Sequence, residues 1–232
     1  MMDNILELYL NGDTTVPPIR YAVRQIINAG YTGRDQAAVQ AHIDELKEIG
    51  VPAPDKIPTY FCKDPRLLTT DDGFEAIDQE NTGEAEYVLL VAEDGIYVGV
   101  GSDHTDRGLE KTNIPKAKQM CPNFISRKVW KYEDVKEGWD NLEMRSWIGG
   151  DRKVLFQQTK LDAFMTPDDL LARVKELVGG ELKPGTVIFS GTVSALLDGY
   201  PFADHFECEL RNPVTQDALV CKYHINMIQR FD

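Results

Sequence analysis

Residues 83–108, GEAEYVLLVAEDGIYVGVGSDHTDRG, decide how this chain is read. Glu84 and Glu86 stand two apart at the head of a β-prone run, so in a strand both side chains leave one face. Val88 and Leu90 continue that face, and Ala85, Tyr87, Leu89 and Val91 make the other. A strand apolar on both faces is buried, which puts the two glutamates at the mouth of a core. The turn Glu93-Asp94-Gly95 then predicts a hairpin. If it closes on Asp94-Gly95, Glu86 pairs with Asp103; if it closes one residue earlier, on Glu93-Asp94, Glu84 pairs with Asp103. In both registers the three carboxylates share a face, with directly opposed Cβ atoms about 4.5–5.5 Å apart. Tyr97, Gly99 and Gly101 lead up to Asp103 on that face, and the glycines are expected to leave room for a ligand. Three clustered carboxylates repel one another unless they are protonated or neutralised by a cation. Ligands that are all oxygen suit Mg²⁺, Mn²⁺ or Ca²⁺ better than Zn²⁺. The spacing recurs at Glu207-Cys208-Glu209, but the alternation of FECEL predicts a half-exposed strand with those glutamates in solvent.

The rest of the chain sets the context. Its 232 residues are 42% hydrophobic and 27% charged, enough for one large globular domain, or one domain with a small N-terminal addition. A formal net charge of −13 disfavours nucleic-acid and anionic-membrane partners, yet a few local Lys and Arg residues still permit a small anionic substrate. Cys62, Cys121, Cys208 and Cys221 form no CxxC pair and read as reduced thiols. The N-terminus does not read as a signal peptide, and no run approaches the roughly 18 apolar residues of a membrane span, so a soluble cytoplasmic protein is expected.

Leu6–Tyr9 reads as a strand, followed by a turn at Asn11-Gly12-Asp13 and a helix around Ile19–Asn28. A second helix runs from about Asp35 to Ile49, with Val39, Ile43 and Leu46 as its apolar stripe, Asp35 as N-cap, and Gly50 and Pro52 as its stop. Later β-prone runs cover Tyr87–Val91, Ile96–Val100, Val187–Phe189, Phe206–Leu210 and Leu219–Ile225. Between them Thr166, Pro167, Asp169 and Gly179 punctuate one more helix. The class is α+β with a mainly β body: residues 1–55 form an N-terminal strand and helix region, and residues 56–232 the catalytic domain. Gly99-Val-Gly101 lacks the third glycine and the βαβ setting of a dinucleotide site, and Phe189–Thr192 lacks the flanking glycines of a nucleophile elbow.

From about residue 36 onward the sequence resembles the fumarylacetoacetate hydrolase superfamily. GEAEYVLLV looks like its Glu-x-Glu strand, and SDHTDRGLE like the segment bearing Asp103 as third metal ligand and then Arg107. PKAKQMCP is similar to the segment carrying an active-site lysine, here Lys118, and ELKPGTVIFSGT to the Pro-Gly turn and Thr-Gly-Thr strand. AHIDELKEIGVP and IPTYFCKD resemble the lid and the Phe-x-Lys segment, which points to His42, Glu45 and Lys63. Three features depart from the pattern: a short stretch between the glutamates and Asp103, Asp64 in place of a proline, and SGTVSALLDG in place of a glycine-rich continuation. The resemblance implies a distorted mixed β-roll, commonly dimeric, that binds Mg²⁺, Mn²⁺ or Ca²⁺ and acts on diketo- or 2-oxo-acids.

The expected chemistry follows. A divalent cation held by Glu84, Glu86 and Asp103 chelates a 1,3-dicarbonyl or 2-oxo-acid and stabilises an enolate-like charge. Lys118, with Lys63 or Arg107, holds the carboxylate or oxyanion, and Gly191 and Thr192 offer further donors to the substrate. His42, oriented by Glu45 one helical turn away, is the general base for attack by water on a carbonyl, giving hydrolytic carbon–carbon cleavage. Decarboxylation or tautomerisation keeps the same metal without the water step, and a non-catalytic metabolite-binding protein is the alternative from another class. His104 adjoins Asp103 but points to the opposite face of a regular strand, outside the metal shell.

Overall fold

Short β-prone runs dominate the chain, and the computed structural model, which describes residues 4–48, 54, 56–197 and 199–229, is built mainly of strands. Strands β1 (Asn4–Leu10), β2 (Ile19–Val23) and β3 (Gln25–Gly30) precede helix α1 (Gln36–Glu48) and strands β4 (Thr59–Lys63), β5 (Leu68–Thr69), β6 (Gly73–Ala76) and β7 (Asn81–Thr82). The hairpin β8 (Ala85–Ala92) and β9 (Gly95–Asp103) leads through β10 (Thr105–Asp106) to α2 (Arg107–Glu110) and α3 (Ile114–Met120). Next come β11 (Asn123–Ile125), β12 (Lys128–Lys131), α4 (Tyr132–Val135), β13 (Glu143–Ile148) and β14 (Val154–Lys160). Helix α5 (Pro167–Val178) and strands β15 (Thr186–Phe189), β16 (His205–Arg211) and β17 (Ala218–Met227) complete the described chain.

A ten-stranded mixed sheet runs β2-β1-β12-β9-β8-β15-β3-β4, with β11 and β5 branching from the end of β9. A second sheet runs β14-β13-β16-β17-β6, and β10 pairs with β7 in a short ladder. Strand β8 separates two cores, which is why it is apolar on both faces. Ala85, Tyr87 and Leu89 join Phe124, Phe206 and Tyr223 between the sheets. Val88 and Leu90 pack with Leu6, Leu8, Tyr97 and Phe189 on the other side.

The hairpin closes on Glu93-Asp94: Ala92 pairs with Gly95, Glu86 with Gly101, and the Asp103 N–H donates to the Glu84 carbonyl at 3.2 Å. Of the two registers, this is the one that sets Glu84 against Asp103. Gly99 and Gly101 do not make room for a ligand. A Cβ on Gly101 would lie 2.3 Å from the Phe124 carbonyl oxygen, and one on Gly99 2.9 Å from the Ile125 side chain. These glycines let β11 approach β9.

Helix α5 is capped as its sequence demands: the Thr166 hydroxyl accepts from the Asp169 N–H at 3.1 Å, and Gly179 takes the left-handed conformation at φ 69°. In α1, Asp35 accepts from the Ala37 N–H, and Val39 and Ile43 are buried as the stripe requires. The side chains of His42, Glu45 and Leu46, and the Gly50-to-Pro52 stop, lie outside the described residues.

Two further expectations are corrected. Ile19–Asn28 forms strands β2 and β3, not a helix; Ile19, Tyr21 and Val23 satisfy period two, β3 is buried on both faces, and β1 and β15 are available as partners. Glu207 and Glu209 are buried, not solvated, because Arg152 lies across that face and donates to them at 2.8 and 2.7 Å. Among the described residues, no helix is long and apolar enough to cross a membrane. All four cysteines are free thiols.

Candidate metal centre

The head of β8 and the tail of β9 bring Glu84, Glu86 and Asp103 together, with one carboxylate oxygen from each within 4.8 Å of the others. Glu86 and Asp103 are essentially buried, at 1% and 0% exposure. Glu84 and Glu86 open onto a cavity of about 410 Å³.

Three cationic side chains surround the carboxylates. From α3, Lys118 places its Nζ 2.6 Å from Asp103 Oδ2 and 3.2 Å from Glu84 Oε2. From α2, Arg107 donates to Glu84 Oε1 at 2.9 Å and to Glu110 Oε2 at 2.8 Å. From the end of β4, Lys63 donates to Asn123 Oδ1 at 2.6 Å and reaches Asp103 Oδ1 at 3.4 Å. Lys63 is thus behind Asp103, away from the residues that line the cavity.

These positions divide the electrostatics. Burial raises the Glu84 pKa, but Arg107 and Lys118 outweigh it and bring it down to about 2. Glu86 goes the other way, pushed well above the usual carboxylate range by burial and then by repulsion from Asp103 and Glu84. Burial alone would lower Lys118, yet Asp103, Glu84 and Glu86 raise it. Burial lowers Lys63 in spite of Asp103.

Gly191 and Thr192 line the cavity, but both donors are engaged within the protein. The Gly191 N–H donates to Glu86 Oε2 at 2.8 Å, and the Thr192 hydroxyl donates to the Ala85 carbonyl at 2.9 Å. Their role here is to orient the glutamate strand. His104 points away from the carboxylates, as expected, and hydrogen-bonds Tyr223 and Asn81 at 2.8 Å each.

Several participants escaped the sequence reading. Gln157, on β14, accepts from the Ala85 N–H at 3.0 Å and donates to Thr192 Oγ1 at 2.8 Å, joining the glutamate strand to the Gly191 loop. Asn123 holds Lys63, and Tyr200 lays its ring 4.1 Å from the Arg107 guanidinium. Glu110 stands three residues after Arg107 on one helix, a spacing that could have signalled the pair.

Residues 29–223 match the family model described as "Protein of unknown function (DUF2848)". The chain belongs to this family. No curated protein matches the sequence. Among solved structures, a 2-keto-3-deoxyarabinonate dehydratase is similar at TM-score 0.63 and 14% identity, over 90% of this chain and 74% of that one. A structure of the dehydratase complexed with magnesium and 2,5-dioxopentanoate gives TM-score 0.60 and 15% identity, over 89% and 74%. A 5-carboxymethyl-2-hydroxymuconate delta-isomerase from Mycobacterium smegmatis gives TM-score 0.61 and 15% identity, over 90% and 80%. At such identities the likeness shows the fold alone. That fold, a mainly β body with a curled mixed sheet and few helices, is the type the resemblance to the fumarylacetoacetate hydrolase superfamily implied.

Proposed function

We propose that this DUF2848 chain is a divalent-metal-dependent enzyme of the fumarylacetoacetate hydrolase superfamily that acts on a small oxo-acid. The observation that carries the reading is the convergence of Glu84, Glu86 and Asp103 beside a cavity, with Glu86 held only by a backbone N–H among the described residues. Lys118, Arg107 and Lys63 pair with Glu84 and Asp103 but leave Glu86 without a cationic partner among the described residues, and an all-oxygen donor set fits Mg²⁺, Mn²⁺ or Ca²⁺. The dehydratase solved with magnesium and 2,5-dioxopentanoate supports the same pairing of cation and oxo-acid. A cation held there supplies Lewis-acid polarisation of a chelated oxo-acid.

The protein's own residues do the rest. Arg107 fixes Glu84, Lys63 and Asn123 back Asp103, and the Gly191 N–H orients Glu86. Lys118 keeps a positive charge on the cavity wall, where negative charge develops on a substrate oxygen. Phe61 and Phe156 give the cavity apolar walls that limit water. His42, oriented by Glu45, is our candidate for moving the proton in hydrolytic carbon–carbon cleavage. Enolate chemistry without attack by water is the second reading, favoured by the names of the solved neighbours, a dehydratase and an isomerase. A homodimer is proposed from the resemblance; light scattering should read twice the chain mass.

Calorimetry tests the core of the proposal. The parent should bind Mg²⁺ or Mn²⁺, and Glu86→Ala should bind it far more weakly. Equal affinity in the two proteins sinks the ligand assignment. A panel of oxo- and diketo-acids with metal present then tests catalysis, and His42→Ala should slow water-dependent turnover by about 10²–10⁴-fold. Undiminished single-turnover rates would remove His42 from the chemistry.

A further inference from the structure

Each described cationic side chain on the cavity wall already holds a carboxylate of the protein. Lys118 is bound to Asp103 and Glu84. Arg107 is enclosed more fully: its two Nη groups take Glu84 and Glu110, Tyr200 covers its plane, and its Nε, without a hydrogen-bond partner among the described residues, is shut off from solvent. Arg34, farther along the wall, donates to Asp140 at 2.8 and 2.5 Å and to the Phe164 carbonyl at 2.5 Å, and Asp162 acts on it electrostatically. Lys63 stays behind Asp103. Among the described residues, Lys118 serves the metal-chelated end of the substrate, and no other cation on the wall is left for a second anion.

Chelation of a metal through a carboxylate and the adjacent oxo oxygen uses one carboxylate of the substrate. A second one would have to sit deeper or farther out, where the wall offers Phe61, Phe156, Ile114 and Val193, the acids Glu110 and Asp162, and only neutral hydroxyls such as those of Tyr31, Ser194 and Tyr200. Burying an anion against apolar groups and like charges is unfavourable unless a cation pairs with it. The volume of about 410 Å³ does admit a tail of several carbons. Resting on the metal-centred reading above, we infer that the site selects 2-oxo-acids with a single carboxylate and an uncharged tail. Glu110 enforces the choice by occupying the Arg107 guanidinium.

Two near-isosteric probes separate the outcomes: 5-methyl-2-oxohexanoate, with a branched alkyl end, and 2-oxoglutarate, with a carboxylate in its place. Calorimetry is run on the Mg²⁺-saturated protein. The alkyl probe should bind at least about tenfold more tightly than the diacid. Glu110→Gln should narrow that ratio by tightening the diacid, since a Gln carbonyl still accepts from Arg107 but carries no charge. Thermal melts report whether this variant keeps the fold. Equal or tighter binding of the diacid by the parent overturns the inference, and an unchanged ratio in a folded Glu110→Gln overturns the part assigned to Glu110. Failure of both probes on a protein that still binds Mg²⁺ would instead overturn the oxo-acid reading, and this inference with it. Failure to bind Mg²⁺ at all would overturn the metal reading first.

Discussion

At the scale of single residues, Lys118 holds the oxygens that a metal at the proposed centre would need. With Nζ 2.6 Å from Asp103 Oδ2, the ammonium partly neutralises a cluster that a cation would neutralise better. Lys118→Met should therefore bind Mg²⁺ at least as tightly as the parent, by up to about tenfold. Its metal-free form should melt at a lower temperature, with a larger rise on adding Mg²⁺; weaker Mg²⁺ binding would contradict the electrostatics. Glu86 adds a dependence on pH. Its pKa is raised in the fold, so the contribution of its protonated form is present below the ordinary carboxylate value and fades as pH rises through the folded one. A metal takes the ionised form, so Mg²⁺ binding should release up to one proton wherever Glu86 is still protonated, and should strengthen as pH rises. Calorimetry in buffers of different ionisation enthalpy measures that release, and a heat independent of buffer would refute it.

At the scale of elements, the hairpin places the carboxylates and β11 locks the hairpin. Asn123 pairs with Asp103 and Ile125 with Gly101, so β9 is gripped at the end that carries Asp103. Gly101→Ala would drive a Cβ into the Phe124 carbonyl and should cost about 1–3 kcal/mol or more in denaturant unfolding. Gly138→Ala, with nothing within 4 Å of its Cβ, is the control and should leave the midpoint nearly unchanged. This layer also shows what the sequence could and could not reveal. The shared face of Glu84, Glu86 and Asp103 was legible because strand alternation fixes it in either register. The register itself was not: Asp94-Gly95 is the favoured hairpin dipeptide, yet the fold uses Gly95, at φ 135°, as the first residue of β9. The caps of α5 are local signals and were readable, whereas the apolar residues of Ile19–Asn28 fit helix and strand alike until β1 and β15 supplied partners. Asn123 and Gln157 are neutral amides brought in from remote segments, and no spacing marks them.

At the scale of the whole molecule, one directed chain of hydrogen bonds ties the glutamate segment to both sheets and to the β7–β10 ladder. Asn81 Nδ2 donates to the Asp78 carbonyl, so its Oδ1 faces His104 and the ring must carry its proton on Nε2. His104 Nδ1 then accepts from the Tyr223 hydroxyl, Tyr223 accepts from Ser102, and Ser102 Oγ accepts from the Glu84 N–H at 3.1 Å. Ser102 is in the ten-stranded sheet, Tyr223 in the five-stranded one and Asn81 in the ladder. Protonating His104 makes both ring nitrogens donors and breaks the sequence at Tyr223. Burial, then Arg107 and Lys63, hold the imidazole neutral, with its pKa lowered to about 3. A histidine depressed in the fold contributes stability that is present above its unfolded value, about 6.5, and lost as pH falls towards the folded one. The parent should lose stability steeply between pH 6.5 and 4 in urea titrations. His104→Gln, which cannot titrate, should be less stable at pH 7.5 but should lose less on acidification, so its deficit shrinks. Carboxylates elsewhere affect both proteins alike, which makes that difference the quantity to read. Tyr223→Phe removes the hydroxyl while leaving His104 buried, so it should weaken the fold at neutral pH and keep the steep acid slope. A deficit of His104→Gln that stays constant from pH 7.5 to 4 would show that His104 is not what makes the joined sheets sensitive to acid.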